Sequence, residues 1–539
     1  MTGRWTIAGA RLVDVERVAQ LLALKVRGGD TVALHGDLGA GKTTFARALI
    51  RALLGDADAE VPSPTFPIVQ SYATSRFAVA HFDLYRLSGP DDLDEIGFHD
   101  AAGTGLVLVE WPERAGADLS GERLDVSLAP GGDGETRRLE LVGHGDWQHR
   151  VERLETIDGF LRRVFPASQA LHVRYLQGDA SSRAYARVAA AGLSNAPSGA
   201  DKAPGAFFFA PPGADKAPGA FVLMDSPRMP DGPVIANGLP YSRIAHLAED
   251  VRPFVAVGTA LSKAGVKVPE IIAGDLDAGL LLLEDLGEQT FSTALRQRQP
   301  QSDMIAAAVD VLLHLRAHPL ARDLPLPDGT VHQLARFDRA ALEIEIGLVL
   351  DWYWPAVKGA AADAAVRAEF MALWAPVLDR MLAAPAGLFL RDYHSPNLFW
   401  WPDRQGTDRI GVIDFQDALA EPWAYDLASL LQDARVDVAA AIEGRELDRY
   451  CQQAACREPD FDEQQFRALY AAFGAQRNTR LVGLWVRLLR RDGKSGYLQH
   501  MPRTWDYLAR NLAHADLADL RAWYDRHFPE AVRKQPIPA

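Results

Sequence analysis

Gly36-Asp37-Leu38-Gly39-Ala40-Gly41-Lys42-Thr43, with Thr44 next, decides the fold of the first part of the chain. It matches the pattern G-x-x-x-x-G-K-[ST] and stands in the setting that pattern needs. Thr31-Val32-Ala33-Leu34 before it reads as a short strand, and Ala46, Leu49, Ile50, Leu53 and Leu54 after it recur at helical spacing. Glycines let the backbone wrap a phosphate, so that its N–H groups and the helix N-terminus point at negative charge. Gly36, Gly39, Gly41, Lys42, Thr43 and Thr44 are therefore candidate ATP contacts, with the Thr43 hydroxyl also a candidate Mg²⁺ ligand.

Outward from this loop, strands and helices keep alternating. Val107-Leu108-Val109 reads as a second buried strand, and Pro130-Gly131-Gly132-Asp133-Gly134 separates two alternating runs (Leu124, Val126, Leu128, then Leu139, Leu141), which predicts a hairpin. The expectation for residues 1–150 is an α/β P-loop NTPase domain. Hydrolysis also needs groups that hold Mg²⁺ and orient water. Two carboxylates at strand ends qualify: Asp83 in His81-Phe82-Asp83-Leu84-Tyr85-Arg86, and Glu110 after Val107-Leu108-Val109.

The chain has 539 residues, 48% apolar and 24% charged, so more than one folded domain is expected. Its formal charge of −14 argues against free-standing nucleic-acid binding, which needs clustered Lys and Arg. Cys451 and Cys456 are the two cysteines; five residues apart on a helix they would diverge by about 140°, so no disulfide framework is expected. The first residues show no basic segment followed by an apolar run, and Leu280 to Leu283 is far too short to span a bilayer. The expectation is a cytoplasmic protein with no membrane role.

Periodicity lapses around Gly143 to Arg150 and resumes with Ile157, Phe160, Leu161 and Val164, which places a boundary near 150. Gly-Ala-Asp-Lys-Ala-Pro-Gly-Ala-Phe at 199–207 returns at 213–221, and segment 191–220 reads as a flexible loop lengthened by duplication. The later part carries no second P-loop. It offers Leu390-Arg391-Asp392-Tyr393-His394-Ser395-Pro396-Asn397 and, seventeen residues past Asn397, the Asp of Ile413-Asp414-Phe415. Kinases use this arrangement: the first Asp accepts the substrate hydroxyl, while Asn and the second Asp hold Mg²⁺. Leu281-Leu282-Leu283-Glu284-Asp285-Leu286 reads as the strand and hinge for adenine, which makes Glu284 and Leu286 candidate ATP contacts. Gly178, Ser181 and Ser182, in a Gly-Asp-Ala-Ser-Ser turn, are candidates for a loop over the phosphates.

Val61-Pro62-Ser63-Pro64-Thr65-Phe66, the His81–Arg86 block, Glu95-Ile96-Gly97 and Glu110-Trp111-Pro112 follow the P-loop in order, and together they resemble the TsaE family, the ATPase subunit of bacterial tRNA threonylcarbamoyladenosine synthesis. The resemblance implies Mg²⁺ coordination by Asp83, water positioning by Glu110 and Trp111 near the nucleotide. It also implies work with TsaB- and TsaD-type subunits, with tRNA engaged only indirectly. Within a second domain expected over residues 151–539, the span from roughly 155 to 525 resembles the aminoglycoside phosphotransferase-like kinases, and more closely the AmgK-type anomeric sugar kinases, through Leu223-Met224-Asp225-Ser226-Pro227, Tyr241–Leu247, the Leu390–Asn397 block, Ile413–Ala418 and Leu430–Arg435. This implies an α+β bilobal protein-kinase-like fold, with an N-lobe over about 155–288 and a C-lobe over about 289–530. The implied reaction is ATP- and Mg²⁺-dependent phosphorylation of N-acetylmuramate or N-acetylglucosamine at C1.

Asp392 is the expected base, with Asn397 and Asp414 as Mg²⁺ ligands; His394, Asp417, Asp433 and Arg435 are candidate contacts to the amino-sugar substrate. Two positions depart from the broad kinase pattern. Leu390 stands where His is usual, and the strand Phe221 to Asp225 lacks the usual Lys, with Arg187 the nearest stand-in and Lys202 and Lys216 in the duplicated loop. Arg480, Arg487, Arg490 and Arg491 read as a solvated or ion-paired helical face. On the residues alone, an aminoglycoside or choline-like acceptor stays open, as does a nucleotide-binding interaction module without catalysis.

Overall fold

The structure, a computed structural model, describes residues 3–87, 89–132, 134–166, 171–176, 183–190, 206–208, 220–236 and 238–537. Gly178, Ser181, Ser182, Lys202 and Lys216, and most of the duplicated segment, lie outside them.

Packing divides the chain into two units. The first runs to Pro227 and takes in Ile271–Asp285; the second comprises Arg228–Glu270 and everything from Leu286. In the first, β1 (Arg4–Ala10), β2 (Thr31–His35), β3 (Val69–Ala73), β4 (Ala78–Asp83), β5 (Leu106–Glu110), β6 (Leu124–Pro130) and β7 (Arg137–Gly143) form one sheet in the order β1-β7-β6-β2-β5-β4-β3. The central strands β6, β2, β5 and β4 run parallel, and Thr31–Leu34 and Leu106–Val109 are buried on both faces. That explains their uninterrupted apolar reading. The expected hairpin is β6–β7. Helices α1 (Leu12–Ala23), α2 (Lys42–Leu54), α3 (Phe98–Thr104) and α4 (Trp147–Val164) complete the layer.

A second sheet in the same unit orders β8 (Leu171–Leu176), β9 (Ala184–Ala190), β10 (Ala206–Phe208), β11 (Ala220–Asp225), β14 (Ile271–Asp275) and β15 (Leu280–Glu284) as β10-β14-β15-β11-β9-β8. Residues 206–208 correct the reading of 191–220 as loop throughout. They form an edge strand on β14, with Phe207 opposite Gly274, where a Cβ would stand 2.4 Å from the Phe207 ring.

The boundary expected near residue 150 falls inside α4, and packing does not break there. In the second sheet Val173 lies opposite Val188, and Leu223 lies opposite both Ala186 and Leu282, which sets these residues on one face. That face joins the same buried cluster as Val15, Val18 and Leu22 of α1 and Val151, Leu154 and Leu161 of α4. Polar ties reinforce it. Asp225, 1% exposed, accepts Arg153 Nε and Nη2 at 2.9 and 2.6 Å and pairs with Lys25, while Gln20 accepts the Val173 N–H at 2.8 Å. Sequence periodicity reported a pause in helix pattern, whereas the fold closes one apolar core across it.

The second unit is mainly helical. A short hairpin, β12 (Val234–Ala236) and β13 (Leu239–Pro240), leads to α5 (Tyr241–Ile244) and α6 (Arg252–Lys263). Then come α7 (Phe291–Arg296), α8 (Gln301–Ala317), α9 (Arg339–Leu348), α10 (Trp354–Lys358), α11 (Ala364–Ala383), α12 (Ala424–Leu431), α13 (Ala440–Arg457), α14 (Glu463–Asp492) and α15 (Met501–Leu512). Of three further small antiparallel pairs among the described residues, β16 (Asp323–Pro325) with β17 (Val331–Gln333), β18 (Gly387–Phe389) with β21 (Leu419–Glu421) and β19 (Leu398–Trp400) with β20 (Ile410–Val412), the last two carry the loops that matter for chemistry. Cys451 is buried and Cys456 exposed on α13, both free.

Candidate active sites

The glycine-rich loop joins β2 to α2 with Gly41 at the helix N-cap. Gly36 (φ 140°), Gly39 (φ 78°) and Gly41 (φ 110°) hold backbone angles that side-chain-bearing residues avoid, and a Cβ on Gly36 would stand 2.4 Å from the Leu128 carbonyl oxygen. Lys42 Nζ, buried, donates to the carbonyls of Gly36 (2.6 Å) and Asp37 (3.1 Å) and lies 3.8 Å from the centre of the Trp111 ring. Burial pulls the Lys42 pKa down, opposed by the negative charges of Glu110, Asp83, Glu113 and Asp37. Thr43 and Thr44 follow in the first turn of α2, half-buried.

The carboxylates come together because β4 and β5 run parallel in register: Asp83 lies opposite Glu110, and Leu34 of β2 lies opposite Glu110 on the other side. Thr65 donates to Asp83 Oδ2 at 3.2 Å, and the Tyr85 N–H donates to Asp83 Oδ1 at 3.1 Å. Trp111 adopts the left-handed region (φ 60°), and its ring packs 4.9 Å from Tyr85. The pairing of His81 was not legible in the sequence. Fully buried, its Nε2 lies 3.0 Å from Glu110 Oε1. Only the strand alternation, which turns residues 81 and 83 to one side, hinted at it. A glycine cradle, a buried lysine and two carboxylates at strand C-termini fit a magnesium-bound triphosphate.

In the second unit the loop after β18 is locked from below. Asp426 of α12 accepts the N–H groups of Leu390 (2.6 Å) and Arg391 (2.9 Å), and burial pushes its carboxyl up to about 7 against those two donors. Arg391 (φ 71°) and Asp414 (φ 61°) both sit in the left-handed region, a strain of about 1–3 kcal/mol each that tertiary contacts must hold. For Arg391 those contacts are Nη2 to Glu345 Oε1 (2.6 Å) and Nη1 to the Ala245 carbonyl (2.8 Å).

Asp392, Asn397 and Asp414 converge. Asn397 Nδ2 donates to the Asp392 carbonyl (3.0 Å) and lies 3.4 Å from Asp414 Oδ2, while Gln416 Nε2 donates to Asp414 Oδ1 (2.9 Å). The Asp392 side chain keeps 29% exposure with His394 Nε2 3.8 Å away. Burial works against its charge, but His394 and the guanidinium groups of Arg480 and Arg391 hold its carboxyl well below the usual carboxylate range. Asp392 is therefore ionised at neutral pH. An amide and a carboxylate facing one space beside an ionised acceptor fit the Mg²⁺ arrangement of phosphoryl transfer.

The remaining candidates divide. Asp433 spends both oxygens on the N–H groups of Ser395 (2.7 Å) and Arg435 (2.8 Å), so it braces the loop that carries His394. Asp417 Oδ1 accepts the Ala248 N–H at 2.6 Å. Arg187 pairs with Asp285 (2.5 Å) from strand β9, opposite Val222. Glu284 ends β15, and the two units divide between Asp285 and Leu286. Arg480 is largely buried, 3.7 Å from Glu345. Sequence reasoning missed Glu345, which lies far from every motif.

Residues 10–139 match the family model described as Threonylcarbamoyl adenosine biosynthesis protein TsaE, and residues 213–470 match the Phosphotransferase enzyme family. An N-acetylmuramate/N-acetylglucosamine kinase of Caulobacter vibrioides is 37% identical over 314 residues, 58% of this chain and 85% of the relative. The kinase of that name from Pseudomonas aeruginosa is 34% identical, covering 51% of this chain and 78% of its own. A tRNA threonylcarbamoyladenosine biosynthesis protein TsaE of Rickettsia felis is 41% identical over 115 residues, 21% of this chain and 67% of the relative.

Proposed function

We propose, for a chain that belongs to the TsaE family over its first part and to the N-acetylmuramate/N-acetylglucosamine kinases over its second, that one polypeptide carries two ATP-dependent activities. The first is an ATPase supporting formation of threonylcarbamoyladenosine in tRNA. The second transfers the γ-phosphoryl group of ATP to the C1 hydroxyl of an N-acetylated amino sugar in cell-wall recycling.

Bound Mg²⁺ supplies charge neutralisation on the phosphates; Thr43 and Asp83 would hold it in the first half, Asn397 and Asp414 in the second. Lys42 meets the terminal phosphates, and the loop N–H groups bind the others. Glu110, oriented by His81, aligns the attacking water. In the kinase half, ionised Asp392 accepts a hydrogen bond from the C1 hydroxyl and aims its oxygen at the γ-phosphorus. The new O–P bond forms as the bond to ADP breaks, and the hydroxyl proton leaves through Asp392. A carboxylate held so acidic acts mainly by orientation, which suits a reaction governed by positioning and charge.

The observation that carries the kinase reading is the meeting of Asn397 and Asp414 beside a partly exposed Asp392. TsaB- and TsaD-type subunits are the proposed partners of the first half, in the cytoplasm. Exposed Leu38 in the glycine loop and Phe66 beside Thr65, each 83% accessible, suit a protein partner. No helix among the described residues is long and apolar enough to cross a membrane. Phosphorus NMR of the product after incubation with N-acetylmuramate, N-acetylglucosamine, an aminoglycoside and choline tests the kinase assignment. An anomeric sugar phosphate is expected. Phosphorylation confined to aminoglycoside or choline, or none at all, refutes it.

A further inference from the structure

Helix α14 carries Arg480, Arg487 and Arg491 on one face, at spacings of seven and four residues. Arg480 is committed: it lies 3.7 Å from Glu345, donates to the Tyr425 hydroxyl at 3.5 Å, and its charge reaches Asp392. Arg491 is committed too, with two bonds to Asp492 at 2.7 and 2.9 Å. Arg487 differs. It is half-buried and its guanidinium lies over the Tyr241 ring, 4.9 Å from the centroid, yet no carboxylate pairs with it among the described residues. Burial and the charge of Arg491 pull its pKa down, opposed by the Tyr241 hydroxyl that bonds it and by the charge of Asp492, which makes its own ion pair with Arg491; the Tyr241 phenol lies within electrostatic reach of all three arginines.

A partly desolvated cation beside two others is costly without an anion. The planar guanidinium is also the group best matched to a carboxylate, through two parallel N–H···O bonds. Arg487 stands two turns, about 10.5 Å along the axis, from Arg480, the arginine whose charge reaches Asp392. A hexopyranose bearing a lactyl ether at C3 holds its carboxylate two ring carbons and an ether linkage away from the C1 hydroxyl. We infer that Arg487, flanked by the Tyr241 hydroxyl, forms an anion subsite that takes the carboxylate of an acidic amino-sugar acceptor and sets preference for it over the neutral sugar. The inference rests on the kinase reading proposed above.

The test uses the full chain with N-acetylmuramate and N-acetylglucosamine as separate acceptors. In Arg487→Gln the ratio of kcat/KM for the acidic sugar to that for the neutral one should fall about 10- to 100-fold, the worth of one lost charge-assisted contact, with the change carried by KM. Arg487→Lys, which keeps the charge but loses the fork, should fall between Arg487→Gln and wild type. A ratio that moves less than about threefold, or a parallel loss on both sugars, overturns the inference. If wild-type protein phosphorylates neither sugar, the kinase reading itself fails. If wild type phosphorylates both and Arg487→Gln leaves the ratio in place, the subsite alone is refuted.

Discussion

Glu345 touches no proposed substrate, yet the kinase half should depend on it heavily. Its carboxylate, 0% exposed, takes Arg391 Nη2 at 2.6 Å and Gln476 Nε2 at 2.8 Å, with Arg480 Nε 3.7 Å away. Glu345→Gln keeps the shape and strands two buried guanidinium groups. Removing one member of a buried ion pair costs about 3–5 kcal/mol. One anion here serves two cations, which points to the upper part of that range. At about 1.36 kcal/mol per decade, that raises the opening equilibrium by roughly three to nearly four orders of magnitude.

Hydrogen exchange of the full chain, read peptide by peptide, should show that loss of protection over α9 and residues 390–397, with the first unit unchanged. Replacing both partners by apolar residues, Glu345→Leu with Arg391→Met, should restore much of the protection. Turnover should not return, since the Arg391 charge also helps keep Asp392 ionised. Burial raises the Glu345 pKa, but Arg480, Arg391 and Gln476 together bring it below its ordinary value. A depressed folded-state pKa stabilises above the unfolded value, about 4.3, and that contribution is lost as pH falls through the folded value. The gap between wild type and Glu345→Gln should therefore close below about pH 4. A loss of protection under tenfold at neutral pH, or a gap that stays constant in acid, would refute the triad as the support of the catalytic loop.

Asp392→Asn should lower sugar phosphorylation by about 10²- to 10⁴-fold in single-turnover assays while ATP hydrolysis by the first half persists; equal loss of both would contradict separate sites. Gly36→Ala meets both a φ of 140° and a Cβ 2.4 Å from the Leu128 oxygen, so fluorescent-nucleotide affinity in the first half should weaken about 5- to 150-fold, the equivalent of about 1–3 kcal/mol. His81→Phe removes the group that faces Glu110, and ATPase kcat should drop about tenfold or more with KM little changed; a KM effect alone would place His81 outside the water-orienting set. Excising residues 1–145 uncovers the sheet face of Val173, Val188, Leu223 and Leu282. The remaining kinase should bind a hydrophobic dye and melt earlier, and a trimmed chain that does neither would mean the shared core contributes nothing.

Chemistry that depends on neighbours in sequence was legible without coordinates. Phosphate wrapping needs consecutive backbone N–H groups, so Gly36 to Thr43 announced itself, and the spacing of Asp392, Asn397 and Asp414 carried the kinase pattern. The alternating runs on either side of Gly131 gave the hairpin for the same local reason. What supports those groups was decided only by tertiary structure. A buried charge must meet its partner wherever another element passes, so Glu345 finds Arg391 46 residues away and Arg480 135 residues away, and Asp225 finds Lys25 and Arg153. The pause near residue 150 marks the turn from β7 into α4 and no break in packing, because burying an apolar sheet face stabilises a fold whichever stretch of chain supplies the cover.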